Sequence, residues 1–349
     1  MKKMPENDHM IDRRTGRKAA CKRLGRLLLL TLAVLTAAGC CGCATRGGNG
    51  SVDGEMLKVM QFNIKVGNEE SVAPRVAGLK RLIKERTPDI IGFQEVSSAW
   101  REQIDKYILN AGWMGVGEYR NYGEEGTPIY FRTDKYELVD SGTFWLSDTP
   151  DAYGSAFPDV NCVRIATWVK LRSKATGNIF VHVNTHLDHN GKNDSDTAKA
   201  IRIRQTEVLL RFVHSLGDLP VLLTGDINQG MSANGKNYKF YKMITGETEI
   251  ELEDGTTAAM RFSNTRLKAA RTVDEDHIAS MTRYFDENDT KYDPAHQPID
   301  YVFYTEGDFT PLLYTTFLPY VNGVEVSDHL GLYCEFIINA ETNADGGND

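Results

Sequence analysis

The sequence predicts a mixed α/β sandwich rather than a purely doubly wound sheet. Short apolar runs flanked by polar residues predict buried strands, and apolar residues that recur every three or four positions predict amphipathic helices. In some stretches helices alternate with strands, and in others several strands follow one another directly. That combination favours mixed sheets covered by helices over a sheet built only from parallel strands.

The elements follow in order along the chain. The run 57–62 predicts the first strand, and apolar residues at helical spacing from Val76 to Ile83 predict a helix that ends before Pro88. Further strands are predicted at 89–93, 128–131, 136–139, 165–171, 179–184, 221–224, 299–304, 312–317 and 332–338, and further helices at about 97–110 and 197–216.

The N-terminus predicts an export signal. Residues 2–26 are basic and residues 27–38 form an apolar run, which at about 1.5 Å per residue is too short for a bilayer core of ~30 Å. These features and the small residues that follow are typical of a secretory signal. The break Ala37-Ala38-Gly39-Cys40 resembles a bacterial lipoprotein signal, in which Cys40 becomes the lipid anchor; an ordinary cleaved signal is the alternative. Cys41 rather than an aspartate follows, which favours the outer membrane if the cell is Gram-negative.

The sequence predicts one folded domain with flexible ends. We expect a signal peptide at 1–39, a Gly-rich tether at 40–55, the domain at 56–340 and a polar tail at 341–349. Within the domain, 229–297 is polar and charged, and it is interpreted either as a functional loop or lid or as a solvated excursion. Cys162 and Cys334 lie beside strand-like runs, where free thiols are expected rather than a disulfide.

The charge of the processed chain argues against a general affinity for nucleic acid. The whole chain has a formal charge of −8, and residues 1–39 contribute +6, so the remainder carries about −14. Nonspecific binding to nucleic acid depends mainly on Lys and Arg that neutralise phosphates. No Lys/Arg-rich run of that kind follows the signal, and the basic residues of 199–204 are interpreted as a solvated helix face.

Polar side chains with catalytic chemistry follow or end several apolar runs. The five segments are Gln61-Phe62-Asn63, Gln94-Glu95, Asn184-Thr185-His186-Leu187-Asp188-His189, Gly225-Asp226-Ile227-Asn228 and Ser327-Asp328-His329-Leu330. Each segment alone has a structural explanation, such as a turn residue, a surface carboxylate or a buried histidine. Carboxylates, amides and histidines at successive strand ends are together expected to converge at one rim of a sheet. That arrangement suits metal-assisted hydrolysis of a phosphoester.

The order, spacing and placement of these segments resemble those of the endonuclease/exonuclease/phosphatase superfamily, which has the DNase I-like fold. The resemblance extends from about Met56 to Ile338, and the stretches 89–96 and 141–147 look like those of its bacterial secreted and lipoprotein subgroup. It implies a four-layer α/β sandwich, with two mixed β-sheets packed face to face and flanked by helices. It also implies a hydrolase of phosphate esters that depends on Mg²⁺, or on Mn²⁺ in its place.

The resemblance implies which residues bind the metal and the phosphate. Glu95 is expected to be the principal metal ligand, and Asn63 and Asp328 to complete the site, since Mg²⁺ prefers oxygen ligands. Asn228 is expected to donate a hydrogen bond to a phosphate oxygen. Arg164 is expected to contact the same phosphate, although a surface arginine is the alternative interpretation.

The resemblance also implies the acid–base groups. His329 is expected to act as the base, with its second ring nitrogen held by Asp300, and Asp226 is the alternative group for activating the water. His186 is expected to stabilise the developing charge or to protonate the leaving oxygen. The abasic-site endonucleases of the superfamily have a tyrosine there, so this histidine favours the DNase, sphingomyelinase and phosphatase branches. For His189 a structural role is favoured.

The sequence leaves three functions open. The first is a phosphoesterase that acts on a small phosphate mono- or diester, and the second is an exported nuclease that acts on DNA or RNA. The third is a non-catalytic surface protein on the same fold, which is expected to have lost at least one site residue. All of the expected residues are present. Contact with a membrane is expected only through the lipid anchor at Cys40.

Overall fold

The computed structural model describes residues 54–191, 195–233, 236–273, 280–281 and 297–339. The predicted signal peptide, the anchor Cys40 and the polar tail lie outside these residues and stay predictions. The first strand begins at Gly54, so it overlaps the end of the predicted tether. Among the described residues, no helix has the length and apolar character needed to cross a membrane.

Strands account for most of the described elements. In chain order they are β1 (Gly54–Asn63), β2 (Ile90–Gln94), β3 (Trp113–Val116), β4 (Ile129–Arg132), β5 (Tyr136–Trp145), β6 (Ile165–Ser173), β7 (Ile179–His186), β8 (Val221–Asp226), β9 (Ser232–Ala233), β10 (Lys236–Asn237), β11 (Ile250–Glu251), β12 (Thr257–Ala258), β13 (Phe262–Asn264), β14 (Arg271–Val273), β15 (Asp300–Thr305), β16 (Phe309–Phe317), β17 (Tyr320–Val321), β18 (Val324–Glu325) and β19 (Gly331–Asn339). The helices are α1 (Glu69–Val72), α2 (Val76–Arg86), α3 (Ser98–Gln103), α4 (Ser195–Ser215), α5 (Lys239–Ile244) and α6 (Thr265–Lys268), with a 3₁₀ turn at Ala73–Arg75 and a π-helical turn at Ile104–Ile108.

The larger strands form two mixed sheets. The seven-stranded sheet has the order β14-β16-β19-β1-β2-β4-β3, in which β1/β2 and β14/β16 pair in parallel and the other neighbours pair antiparallel. The six-stranded sheet has the order β13-β15-β8-β7-β6-β5, in which β7/β8 pair in parallel and the others antiparallel. Both sheets are therefore mixed, as the sequence predicts.

Three apolar clusters arrange these sheets and helices in four layers. Between the sheets, side chains such as Val59 and Phe336 of one sheet pack with Leu171 and Leu222 of the other. On the outer face of the six-stranded sheet, α4 and α5 bury a second cluster. On the outer face of the seven-stranded sheet, α2 and α3 bury a third. The predicted order of helix, sheet, sheet and helix is confirmed.

The described part of the segment 229–297 is not a solvated excursion. Phe240, Ile244 and Phe262 are buried in the cluster that covers the six-stranded sheet. Strand β13 pairs with β15 and forms one edge of that sheet. Periodicity did not reveal these short elements because their apolar residues are isolated among many charges. The acidic runs at 274–276 and 286–289 lie outside the described residues.

Candidate active site

The alternation of side chains along the strands places polar groups between the sheets at one end. In β1, Leu57 and Val59 face the other sheet, so Gln61 and Asn63 face it too, since successive side chains of a strand point to opposite faces. The same alternation runs through β7 and β8 and ends at His186 and Asp226, which are register partners. The inner face of each strand thus changes from apolar to polar as it approaches one rim.

The other two site segments reach the same rim by antiparallel pairing. Asp300, the first residue of β15, lies opposite Asp226, the last residue of β8. The loop that enters β19 is tied to the end of β1, because the Ser327 hydroxyl donates to Asn63 O at 2.6 Å and accepts from His329 N at 3.1 Å. These connections explain why segments more than 200 residues apart in sequence meet in one place.

A buried hydrogen-bond network lies behind this rim and links the two sheets. Gln61 Nε2 donates to Gln94 Oε1 at 2.7 Å and to Asp300 Oδ1 at 2.9 Å. Gln94 Nε2 donates in turn to Asn184 Oδ1 at 2.6 Å. Gly92 permits this approach, since a Cβ there would lie 2.5 Å from Thr224 Oγ1. The network orients Asp300, and no local sequence pattern identifies the partners of Gln61.

Two of the predicted metal ligands, Glu95 and Asp328, line a cleft of about 800 Å³. The Glu95 carboxylate is held by Val66 N at 2.8 Å and by Asn63 Nδ2 at 3.0 Å. Asp328 is a third exposed and forms a 3.3 Å ion pair with Lys65. Two carboxylates open to solvent match the preference of Mg²⁺, which keeps several waters and few protein ligands. The donor set therefore fits a hard divalent cation.

Asn63 lies among the carboxylates of the site. Its Nδ2 donates to Glu95 and also to Asp226 Oδ2 at 3.0 Å, while its Oδ1 accepts from Lys65 N. An amide that offers N–H groups to two carboxylates orients those carboxylates. Asn63 thus positions Glu95, and its role as a metal ligand stays a prediction.

His329 and Asp300 form the pair that the sequence predicts. His329 Nδ1 lies 2.9 Å from Asp300 Oδ2, and its Nε2 lies 3.7 Å from Asp226 Oδ2. Burial by itself lowers the pKa of His329, but the carboxylates of Asp300 and Asp226 outweigh it and raise this pKa to about 10. Burial, followed by the charge of Asp300, raises the pKa of Asp226 to about 7. A cation bound at Glu95 would favour deprotonation of both groups, so both stay candidate bases.

His186 is a neutral imidazole at the wall of the cleft. Burial, followed by the charge of Arg164, holds the pKa of His186 well below its usual value. Its Nε2 lies 2.9 Å from Asn228 Nδ2 and 3.5 Å from Asp226 Oδ2, whereas Nδ1 is buried and has no hydrogen-bond partner among the described residues. Nε2 is therefore the ring atom that lies among the other site residues.

Arg164 is buried rather than on the surface, and it belongs to a cluster that the sequence did not reveal. Glu125 Oε1 accepts from Arg120 Nη1 at 2.7 Å and from Arg164 Nη1 at 3.3 Å. Burial raises the pKa of Glu125, and the two guanidinium groups oppose that rise. One carboxylate thus holds two guanidinium groups at the cleft, and Arg120 also pairs with Glu124. His189 lies beside them, with Nδ1 3.5 Å from Arg164 Nη2.

Two site residues have strained backbones. Glu95 and Asn228 have φ values of +60° and +54°, a region that non-glycine residues seldom adopt. Such strain persists where surrounding contacts over-determine the conformation, and it clusters at functional sites. At both positions the side chain is fixed by hydrogen bonds to neighbouring strands.

Arg202 joins the loops that follow β7 and β8, and its burial corrects the interpretation of 199–204 as a solvated face. This side chain of α4 donates to Asp188 O at 3.0 Å, to Gln229 Oε1 at 2.9 Å and to Asn190 Oδ1 at 3.1 Å. Only 2% of Arg202 is exposed. Its spacing from the buried Ala198 and Leu209 was the available signal.

We expect Arg202→Lys to lower the free energy of unfolding by about 1–3 kcal/mol, because an ammonium group cannot reach three separated acceptors and leaves some of them buried and unpaired. Arg204→Lys is the matched control on the same helix. Arg204 is half-exposed and pairs with Asp148, so its substitution should change the free energy by less than ~0.5 kcal/mol. Urea denaturation measures both, and equal effects would contradict the role of Arg202.

The structure thus brings the predicted site residues together. Glu95, Arg164, His186, Asp226, Asn228, Asp328 and His329 line the cleft, while Asn63 and Asp300 lie behind it and contact the residues that do. Cys40 lies outside the described residues. Two packed mixed sheets with this polar rim define a protein of the DNase I-like fold class.

The comparison with protein families names the group within that class. Residues 60–329 match the endonuclease/exonuclease/phosphatase family. The matched segment covers most of the chain and includes every predicted site residue apart from Cys40. The chain therefore belongs to the endonuclease/exonuclease/phosphatase family. A search of curated proteins gives no significant match.

Solved structures show the same fold. An endonuclease/exonuclease/phosphatase from Bacteroides vulgatus is 27% identical, with a TM-score of 0.65 over 81% of this chain and 99% of that one. A mannosyl-6-phosphatase of Bacteroides thetaiotaomicron VPI-5482 is 24% identical, with a TM-score of 0.61 over 81% and 100%. D. rerio TDP2, complexed with a single-strand DNA product, is 17% identical, with a TM-score of 0.58 over 80% and 98%. The last two likenesses establish the fold alone.

Proposed function

We propose that this chain is a divalent-metal-dependent phosphoesterase that hydrolyses a small phosphate mono- or diester, with Mg²⁺ as the favoured ion and Mn²⁺ as its substitute. The observation that carries the proposal is the meeting of two kinds of groups in one cleft. The carboxylates Glu95 and Asp328 and the guanidinium group of Arg164 line the same cleft. Family membership supports hydrolysis of phosphate esters in general.

The metal would be held by Glu95 and Asp328. When bound, it supplies positive charge that polarises the phosphoryl oxygens of the substrate. Asn63 and Val66 N fix the Glu95 carboxylate in place before the ion arrives. Because these contacts are already formed, little reorganisation is needed on binding, which is how preorganised charge contributes to catalysis.

The remaining residues orient the phosphate and move protons. Asn228 and Arg164 would hold the phosphate oxygens, and His186 would stabilise the charge that develops on them or protonate the leaving oxygen. Asp300 fixes the ring of His329, which takes the proton from the attacking water. Asp226 is the alternative acceptor, because it lies within 4 Å of both histidines.

The surroundings of the cleft favour a small substrate over a polynucleotide. A second groove of about 750 Å³ adjoins the cleft through Val66, Arg120 and Glu125. Its charged lining is mostly acidic: Glu69, Glu70, Glu102, Glu124 and Glu125, with Arg120 as the basic member. A nucleic-acid strand leaving the cleft along this groove would meet carboxylates where backbone-tracking sites have Lys and Arg. The neighbour named a mannosyl-6-phosphatase is compatible with a small ester.

The purified protein should hydrolyse p-nitrophenyl phosphate or its bis ester in the presence of Mg²⁺ and lose this activity in EDTA. The ratio of the two rates assigns monoester or diester preference. Supercoiled plasmid DNA should stay intact under the same conditions. Absence of hydrolysis of both esters would refute the proposal, and EDTA-sensitive nicking of the plasmid would favour the nuclease alternative. A panel of sugar phosphates and nucleotides would then define the substrate.

A further inference from the structure

A second set of metal-ligating atoms lies on the wall of the cleft. The thiol of Cys162, a carboxylate oxygen of Asp188 and a ring nitrogen of His189 all lie within 4.8 Å of one another, and both Cys162 and His189 line the cleft. We propose that these three residues form a separate binding site for a thiophilic divalent ion such as Zn²⁺. No residue of this set belongs to the carboxylate site proposed for Mg²⁺.

The spacing of the cluster suits a single ion. Zn²⁺ takes nitrogen and oxygen ligands at about 2.0–2.1 Å and thiolate at about 2.3 Å, so neighbouring ligands in a tetrahedron are ~3.3–3.8 Å apart. His189 Nδ1 lies 3.6 Å from Asp188 Oδ1, which is within that range. These two atoms are the pair that a common ion would bridge. The Cys162 Sγ lies within 4.8 Å of the ligand atoms of Asp188 and His189.

The cluster is built on a rigid support. Asp188 is fully buried, and its backbone N donates to Gln205 Oε1 of α4 at 2.9 Å. Its carboxylate accepts from Asn161 N at 2.8 Å and from Cys162 N at 3.2 Å. These bonds fasten the loop before β6 to the loop after β7, so the thiol and the imidazole face the cleft from two anchored segments. His189 is 43% exposed in its side chain and open to an incoming ion.

The ligand types separate the two sites chemically. A thiolate and an imidazole are soft ligands that favour Zn²⁺, whereas carboxylate, carbonyl and water favour Mg²⁺. Binding would release the thiol proton, since the thiolate is the ligand. The site proposed for Mg²⁺ contains no sulfur ligand. Within the described part of the cleft, a spectroscopic band from a metal–sulfur bond therefore reports on the Cys162 site alone.

Arg164 is the natural competitor for this ion. Its Nε lies 4.0 Å from Asp188 Oδ1, and its Nη2 lies 3.5 Å from His189 Nδ1. A divalent cation bound to the same two atoms repels the guanidinium and replaces it as the partner of Asp188. Arg164 then leaves the position from which it would contact the phosphate. Zn²⁺ at this site would therefore inhibit the enzyme, a consequence that rests on the proposed function.

The site itself is tested with Co²⁺ as a spectroscopic substitute for Zn²⁺. The full-length protein, reduced and free of metal, is titrated with Co²⁺ and compared with Cys162→Ser. We expect a thiolate-to-cobalt charge-transfer band in the wild type that is lost from the variant. Because the other cysteines are present in both proteins, the difference spectrum isolates Cys162. Glu95→Gln should retain the band. Absence of the band, or its persistence in Cys162→Ser, would overturn the proposal.

Inhibition is tested by Zn²⁺ titration at constant Mg²⁺. We expect Cys162→Ser to keep the Mg²⁺-dependent activity and to require at least ~10-fold more Zn²⁺ for half-inhibition, in line with the effect of lost metal contacts on affinity. Equal sensitivity of the two proteins would overturn the inhibitory role and place the inhibiting ion elsewhere. If neither protein hydrolyses any ester, the proposed function fails, whereas the cobalt spectrum still decides the existence of the site.

Discussion

Replacing Glu95 with glutamine should nearly abolish hydrolysis and weaken binding of the divalent ion. The substitution keeps the shape of the side chain but removes a negative charge that Asn63 and Val66 N hold in the cleft. Loss of an outer partner of a metal ligand usually costs 10- to 100-fold in affinity or activity, so loss of the principal ligand should exceed ~100-fold. Activity as a function of Mg²⁺ concentration and calorimetric titration with Mn²⁺ measure the two effects.

The matched control for this prediction is Glu85→Gln. Glu85 is half-exposed on α2, where it pairs with Arg81 away from the cleft. Surface ion pairs of this kind contribute little, so both activity and metal affinity should match the wild type. If Glu95→Gln bound metal and turned over substrate as well as this control does, Glu95 could not be the principal ligand.

Replacing His329 with glutamine should lower kcat by about 10²–10⁴, the usual contribution of a group that transfers a proton in the transition state. Asp300→Asn should also lower kcat, because the Asp300 carboxylate orients the His329 ring through the 2.9 Å contact between Oδ2 and Nδ1. The double variant should be little worse than either single one, since residues that act as a unit are not additive. Steady-state kinetics of the three variants at saturating metal measure this.

His214→Gln is the control for the histidine series, because His214 is exposed near the end of α4. Asp226→Asn distinguishes the alternative base. If Asp226 accepts the proton, its variant should show the larger fall in kcat and His329→Gln the smaller one. Multiplicative losses for His329 and Asp300 would show that the two do not work as a pair.

Regular elements and the site segments were predictable from the sequence because their signals are local. A continuous apolar run such as 221–224 predicts a buried strand wherever it packs, and the structure has β8 there, extended to Asp226. Polar residues at the ends of such runs identified the site. The helix predicted at 97–110 is α3 continued by a π-helical turn, a difference that periodicity cannot detect.

The supporting residues were not predictable because their role depends on partners distant in sequence. Helical spacing from Ala198 and Leu209 places Arg202 on the buried face of α4, but its acceptors lie in two loops that no local pattern connects to it. Glu125 likewise does not follow an apolar run that predicts a strand, so no local pattern marks it. It is identified by the two arginines, 5 and 39 residues away, that share its oxygen.

The sequence alone determined the layered α/β class, the family resemblance and the candidate acid, base and metal groups, since these follow from local patterning and from motif order. The tertiary structure decided the role of each of these groups. It showed Asn63 as a donor to Glu95, His186 as a neutral imidazole, and Arg164 as a buried cation shared between Glu125 and Asp188. Such roles depend on distance, burial and the sign of neighbouring charges, which arise only when the two sheets bring separate strand ends into one rim.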